Sequence, residues 1–158
     1  MSKLDSGYFK KDKQYKEKVM VAESHNYNAE TVDDILALAN PFKAVPSRGI
    51  SARVAAALGI RTRVDEFGDT LAYYFPYYKL TDGAPVLVGF KRKSAENVGA
   101  KSTYTSIGDI DVNCLLFGAV LRNSTTGKLQ MAASKGKAKV VITEGEFDAA
   151  ACMEALLE

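Results

Sequence analysis

Three carboxylates fall within five residues near the end of the chain: Glu144, Glu146 and Asp148, spaced by Gly145 and Phe147. Carboxylates gathered at one turn suit a hard divalent cation, which prefers oxygen ligands and polarises phosphate oxygens once bound. Before them lies the β-branched run Val140, Val141, Ile142, Thr143; after them comes an alanine-rich segment of helical composition. This pattern predicts a strand over about 139–143, buried on both faces of a parallel sheet, then a tight turn at Glu144-Gly145 and a covering helix. Ligands of open α/β sheets collect outside the carboxyl ends of the strands, so Glu144 is expected to face a cleft. Gly145 is expected to supply backbone angles closed to other residues. Glu146 is accounted for as an acid at the positive end of the helix. Glu144 is not, because it ends an otherwise apolar strand.

A second group able to do chemistry is Lys91-Arg92-Lys93, followed by a loop over 94–99 and then Lys101. Clustered cations of this kind suit triphosphate or template phosphates. For Lys93 an edge-strand lysine that deters aggregation is an equal account. The tyrosines and phenylalanine of 73–78 could stack bases, but aromatic residues also favour strands whatever they bind, and one face of this strand must form core. Ser124-Thr125-Thr126-Gly127-Lys128 is not a phosphate loop, since Arg122 stands where the first glycine is needed and Leu129 follows the lysine. His25 is the only histidine, which argues against histidine acid-base chemistry.

These residues need a scaffold. Leu71, Tyr73, Phe75 and Tyr77 alternate with their neighbours, Val86, Val88 and Phe90 form a second alternating run, and Gly68-Asp69 and Thr81-Asp82-Gly83 are hairpin signals. A three-stranded antiparallel meander is therefore expected from about Thr62 to Lys93, with Pro76 marking an edge or a bulge. Thr31 to Asp34 reads as a capping box ahead of a short helix that ends before Pro41. Ser51 caps a second short helix, which Gly59 stops. A further short helix is expected over about 129–135. Asp109-Ile110-Asp111 reads as loop.

With 158 residues, 47% hydrophobic and 25% charged, the composition is that of an ordinary globular protein. The net charge of +2 does not by itself argue for nucleic acid. Six lysines between Lys3 and Lys18 mark a basic tail or linker. Cys114 and Cys152 lack the spacing of a zinc site or a disulfide framework. No apolar run reaches the roughly 18 residues of a membrane span, and the start does not read as a signal peptide, so a cytoplasmic location is expected.

The residues Thr143-Glu144-Gly145-Glu146-Phe147-Asp148 resemble the first motif of the TOPRIM fold of primases, topoisomerases and some nucleases. They are most similar to phage-type primase-helicases and their mitochondrial relative Twinkle. Arg48-Gly49-Ile50-Ser51 and Leu115-Leu116-Phe117-Gly118 are similar to two further patches that occur in the same order in those primases. The resemblance implies that Glu144 belongs to the catalytic and metal-binding cluster, that Asp148 is the motif's aspartate, which supports the turn and joins Glu144 at the metal, and that Mg²⁺ is the metal. It implies that Lys91, Arg92 and Lys101 bind nucleotide phosphates. It further implies a single-stranded DNA template, NTP substrates, a nascent RNA primer, a fused or associated helicase, and a bacterial host's cytoplasm. The second acidic strand end of the family, usually Asp-x-Asp after the first motif, does not follow the motif in this sequence, and the sequence contains no zinc-binding module of the kind such primases often carry. The chain is therefore expected to be a fragment that is inactive in isolation.

The expected fold class is α+β: an antiparallel β-meander with short helices, then the first strand, turn and helix of a truncated TOPRIM α/β fold. Residues 1–27 are expected to be a basic flexible segment, 28–135 the N-terminal subdomain of a primase core, and 136–158 the start of the TOPRIM subdomain. A non-catalytic nucleotide- or nucleic-acid-binding module and a metal-dependent nuclease of the same superfamily are the alternatives.

Overall fold

Thr31 and Asp34 cap each other as the sequence predicts. Asp34 Oδ2 accepts the Thr31 N–H at 2.9 Å and Thr31 Oγ1 accepts the Asp34 N–H at 3.2 Å, which starts helix α1 (Val32–Leu36). The structure is a computed structural model, and it describes residues 30–95, 104–132 and 140–157. The expected basic tail lies outside the described residues.

A 3₁₀ turn (Pro46–Arg48) closes on Gly49, whose φ of 64° needs a residue without a Cβ. Ser51 Oγ then accepts the Val54 N–H at 3.2 Å and opens α2 (Ala52–Leu58), which stops at left-handed Gly59.

Strands β1 (Arg61–Val64), β2 (Thr70–Thr81), β3 (Ala84–Ser94) and β4 (Tyr104–Gly108) form an antiparallel sheet in sequential order. Asp82 and Gly83 have φ of 51° and 77°, the pair of positive angles that a two-residue hairpin turn requires. The pairing of β1 with β2 ends at Tyr74, so Pro76 lies past the point where β1 would need its missing N–H. The register with β3 slips between Tyr77 and Tyr78. The expected meander is present, with β4 added to it. A separate hairpin joins β5 (Val120–Arg122) to β6 (Leu129–Met131). The described part of the helix expected at 129–135 is thus a strand: the turn through Asn123 and Gly127 (φ 70°) folds Leu129 back beside Arg122.

The two sheet faces have separate cores. On one, Ile35 of α1 packs with Ala72, Tyr74, Phe90 and Ile107. On the other, Val54, Ala55 and Leu58 of α2 pack with Phe75 and with Phe147 and Ala150 of α3 (Glu146–Leu157). Glu154 Oε2 accepts the Ser51 N–H at 2.8 Å, tying the far half of α3 to the start of α2.

The buried strand expected before α3 is absent. Residues 140–143 are in no strand, and Val140, Val141 and Ile142 are 82%, 60% and 82% exposed. β-branched composition favours extension, but a central strand exists only with hydrogen-bonded neighbours, and among the described residues no strand lies beside it. The turn and helix of the expected unit form without it.

Candidate functional site

Alternation along β3 sorts its cations. Arg92 shares the face of Phe90 and is 5% exposed, whereas Lys91 and Lys93 point to the α3 side. Lys91 and Arg92, expected to act together, are therefore separated by the sheet. Lys101 lies outside the described residues.

On the α3 side, Lys93 pairs with Tyr73 on one flank and Tyr104 on the other, and Lys91 pairs with Phe75 and Ser106. The Lys93 ammonium stands 5.4 Å from the Tyr104 ring centre and 5.1 Å from that of Phe147, and the Lys91 ammonium 4.5 Å from Tyr104. Arg48 lies over Phe147 at 5.5 Å. The result is a cationic and aromatic surface in which ring faces hold the ammonium groups in place.

Glu146 closes this surface. Its Oε1 accepts hydrogen bonds from Lys91 Nζ at 2.7 Å and from the Tyr77 hydroxyl at 2.8 Å, and its side chain is 6% exposed. Burial pushes the Glu146 carboxyl up, but the Lys91 and Tyr77 hydrogen bonds together outweigh it and hold the group below the usual carboxylate range. Tyr77 is raised, by burial first and then by the hydrogen bond to Glu146. From sequence alone Glu146 reads only as a helix-end charge. The signal for its partner is the period-2 alternation of β3, but which face Lys91 takes depends on the register slip at Tyr77/Tyr78.

Glu144 and Asp148 remain at the surface, and neither makes a hydrogen bond or ion pair among the described residues. Gly145 does not take a positive φ. A Cβ there would lie 3.3 Å from Asp148 Oδ2, the tip of an exposed side chain that can turn away. The Gly145 carbonyl accepts the Ala149 N–H and the Thr143 hydroxyl, each at 3.1 Å, so Gly145 caps α3.

Among the described residues no group of three or more His, Cys, Asp or Glu side chains is gathered for a metal ion. Glu144 and Asp148 are two carboxylates beside the N-terminus of α3, and magnesium commonly takes one or two from a protein before water and substrate phosphates complete its shell.

The three patches that carry the family resemblance meet here. Phe117 and Phe147 both pack edge-on against Phe75, with ring centres 5.7 and 5.0 Å away, and Arg48 covers Phe147. Compared with models of protein families, with curated proteins and with solved structures, the chain matches none. Among the described residues no helix is long and apolar enough to cross a membrane.

Proposed function

We propose that this chain is the N-terminal part of the RNA-polymerase core of a phage-type DNA primase, which builds RNA primers from NTPs on single-stranded DNA. One observation carries the reading: Arg48, Phe117 and the turn at Glu144 to Asp148, far apart in sequence, converge on the sheet face that bears Lys91 and Lys93. In this reading Lys93 and Arg48 attract the triphosphate and Tyr104 offers a partly exposed ring to a base. Lys91 is neutralised by Glu146, so it holds the turn in place and contributes less charge to the substrate. Glu144 and Asp148 would hold Mg²⁺, which when bound polarises phosphate oxygens and lowers the pKa of the attacking hydroxyl.

The test is Glu144→Gln in the complete gene product. Loss of Mg²⁺-dependent primer synthesis with single-stranded DNA binding retained supports the reading. Metal-dependent cleavage of the template in place of synthesis would assign the site to a nuclease of the same superfamily.

A further inference from the structure

A second concentration of positive charge lies away from this surface, made by Arg61 of β1 and Arg122 of β5. The Phe42 ring carries two guanidinium groups: the Cζ atoms of Arg61 and Arg122 stand 5.1 and 4.7 Å from its centre. Arg61 Nη1 also reaches the carbonyls of Ile35 and Leu36 at the end of α1, each at 3.5 Å. Arg122 lies against Gly127, where a Cβ would come within 3.0 Å of Nη2. Neither arginine has an acidic partner among the described residues. Both line a pocket of about 160 Å³ that also includes Tyr78, Leu36, Leu87 and Phe90.

Two guanidiniums placed around one ring repel each other and lose solvation; the Phe42 face and the Ile35 and Leu36 carbonyls offset part of that cost, but no carboxylate among the described residues does. Burial and then the charge of Arg122 hold Arg61 below its ordinary value. Burial raises the Tyr78 phenol, although both arginines pull it the other way, so its hydroxyl stays protonated and can donate. Three donor groups therefore converge on a cavity with apolar walls. Guanidinium forks match the spacing of phosphate oxygens, and a tetrahedral dianion presents enough oxygens for two forks at once.

We propose that this pocket binds the phosphate of a small phosphomonoester, with the attached organic group against Leu36 and Leu87. Phe90 lies on the opposite sheet face from Lys91, so the site is distinct from the Glu144 surface. The proposal goes beyond the polymerase reading and does not rest on it.

The chain is titrated at low ionic strength with inorganic phosphate and, separately, with adenosine 5′-monophosphate, following the arginine Nε–Hε and Gly127 amide signals by NMR. Saturable shifts at Arg61, Arg122 and Gly127, with Glu144 unmoved, are expected. Arg61→Gln and Arg122→Gln should each weaken binding about tenfold or more, as expected for losing charged hydrogen bonds. Equal affinity for the two probes means that phosphate alone is recognised, and tighter binding of the nucleotide means that the apolar wall takes part. Absent shifts, or shifts undiminished in both variants, overturn the proposal. If a variant fails to fold, potassium chloride at matched ionic strength decides with the unaltered chain, because equal shifts with chloride also overturn it.

Discussion

Lys91 Nζ lies 2.7 Å from Glu146 Oε1, and this pair fastens the third strand of the sheet to the first turn of α3. The two ends differ: the Lys91 side chain is 33% exposed and that of Glu146 is 6% exposed. Glu144 and Asp148 flank Glu146 in sequence, so the pair also fixes where the surface carboxylates stand relative to Lys93.

That asymmetry sets the cost of breaking the contact. Lys91→Met strands a buried carboxylate and should destabilise by about 3 kcal/mol, towards the low end for a broken buried pair. Glu146→Gln keeps a group that can accept from Tyr77 and leaves a lysine able to turn to water, so about 1–2 kcal/mol is expected after discounting for that exposure. Urea denaturation of both variants measures the difference. Equal costs would contradict the asymmetry.

The same pair gives a pH dependence with a definite sign. Glu146 is held below its ordinary value of 4.5 in the folded chain, so its contribution is full above that value and is lost as pH falls through the lowered one. Urea midpoints should fall as pH drops from about 6 to about 3, and Glu146→Gln should flatten the curve. Asp111 and Glu154 are also lowered, by hydrogen bonds from Lys79 and from the Ser51 backbone respectively, so some slope should persist in the variant.

Gly89 and Gly108 face each other across β3 and β4. A Cβ on Gly89 would run into the Ile107 carbonyl and lie 2.8 Å from Ile110 Cγ1, and one on Gly108 would lie 2.8 Å from the Gly89 Cα at a φ of 91°. Backbone cannot yield as a side-chain tip does. Gly89→Ala should therefore cost about 3 kcal/mol or more, read by thermal unfolding, whereas Gly68→Ala, with open space around it, should cost only its backbone strain, about 1 kcal/mol.

Much of the scaffold is legible in residue types. Thr31, Ser51, Gly59 and Asp82-Gly83 act through local geometry, and each does what its position predicts. Features set by distant partners are not legible in this way. Val140 to Ile142 carry strand composition without neighbours to pair with, Leu129 becomes a strand because Arg122 lies across the hairpin, and Arg92 is buried because the period of the sheet sends it opposite to Lys91. Glu146 was hidden for the same reason, since its partners Lys91 and Tyr77 are 55 and 69 residues away.

The split between Lys93 and Arg92 separates binding from stability. Lys93→Gln should weaken binding of a nucleoside triphosphate about tenfold with little change in the urea midpoint. Arg92→Gln, inside the sheet's other face, should lower stability by about 2 kcal/mol and leave the affinity of any folded protein unchanged. Isothermal titration beside urea denaturation reads both, and a reversed pattern would move the binding surface to the other face.

The central claim is that the Glu144 turn and the Lys93 surface form one site for nucleotide and metal. Titration of the isotope-labelled chain with ATP and Mg²⁺ together, followed by NMR, tests it most directly. Saturable shifts are expected at Lys93, Glu144, Gly145 and Asp148, larger with both present than with either alone and reduced in Glu144→Gln. Signals from these residues that stay still while the sheet remains folded would contradict it.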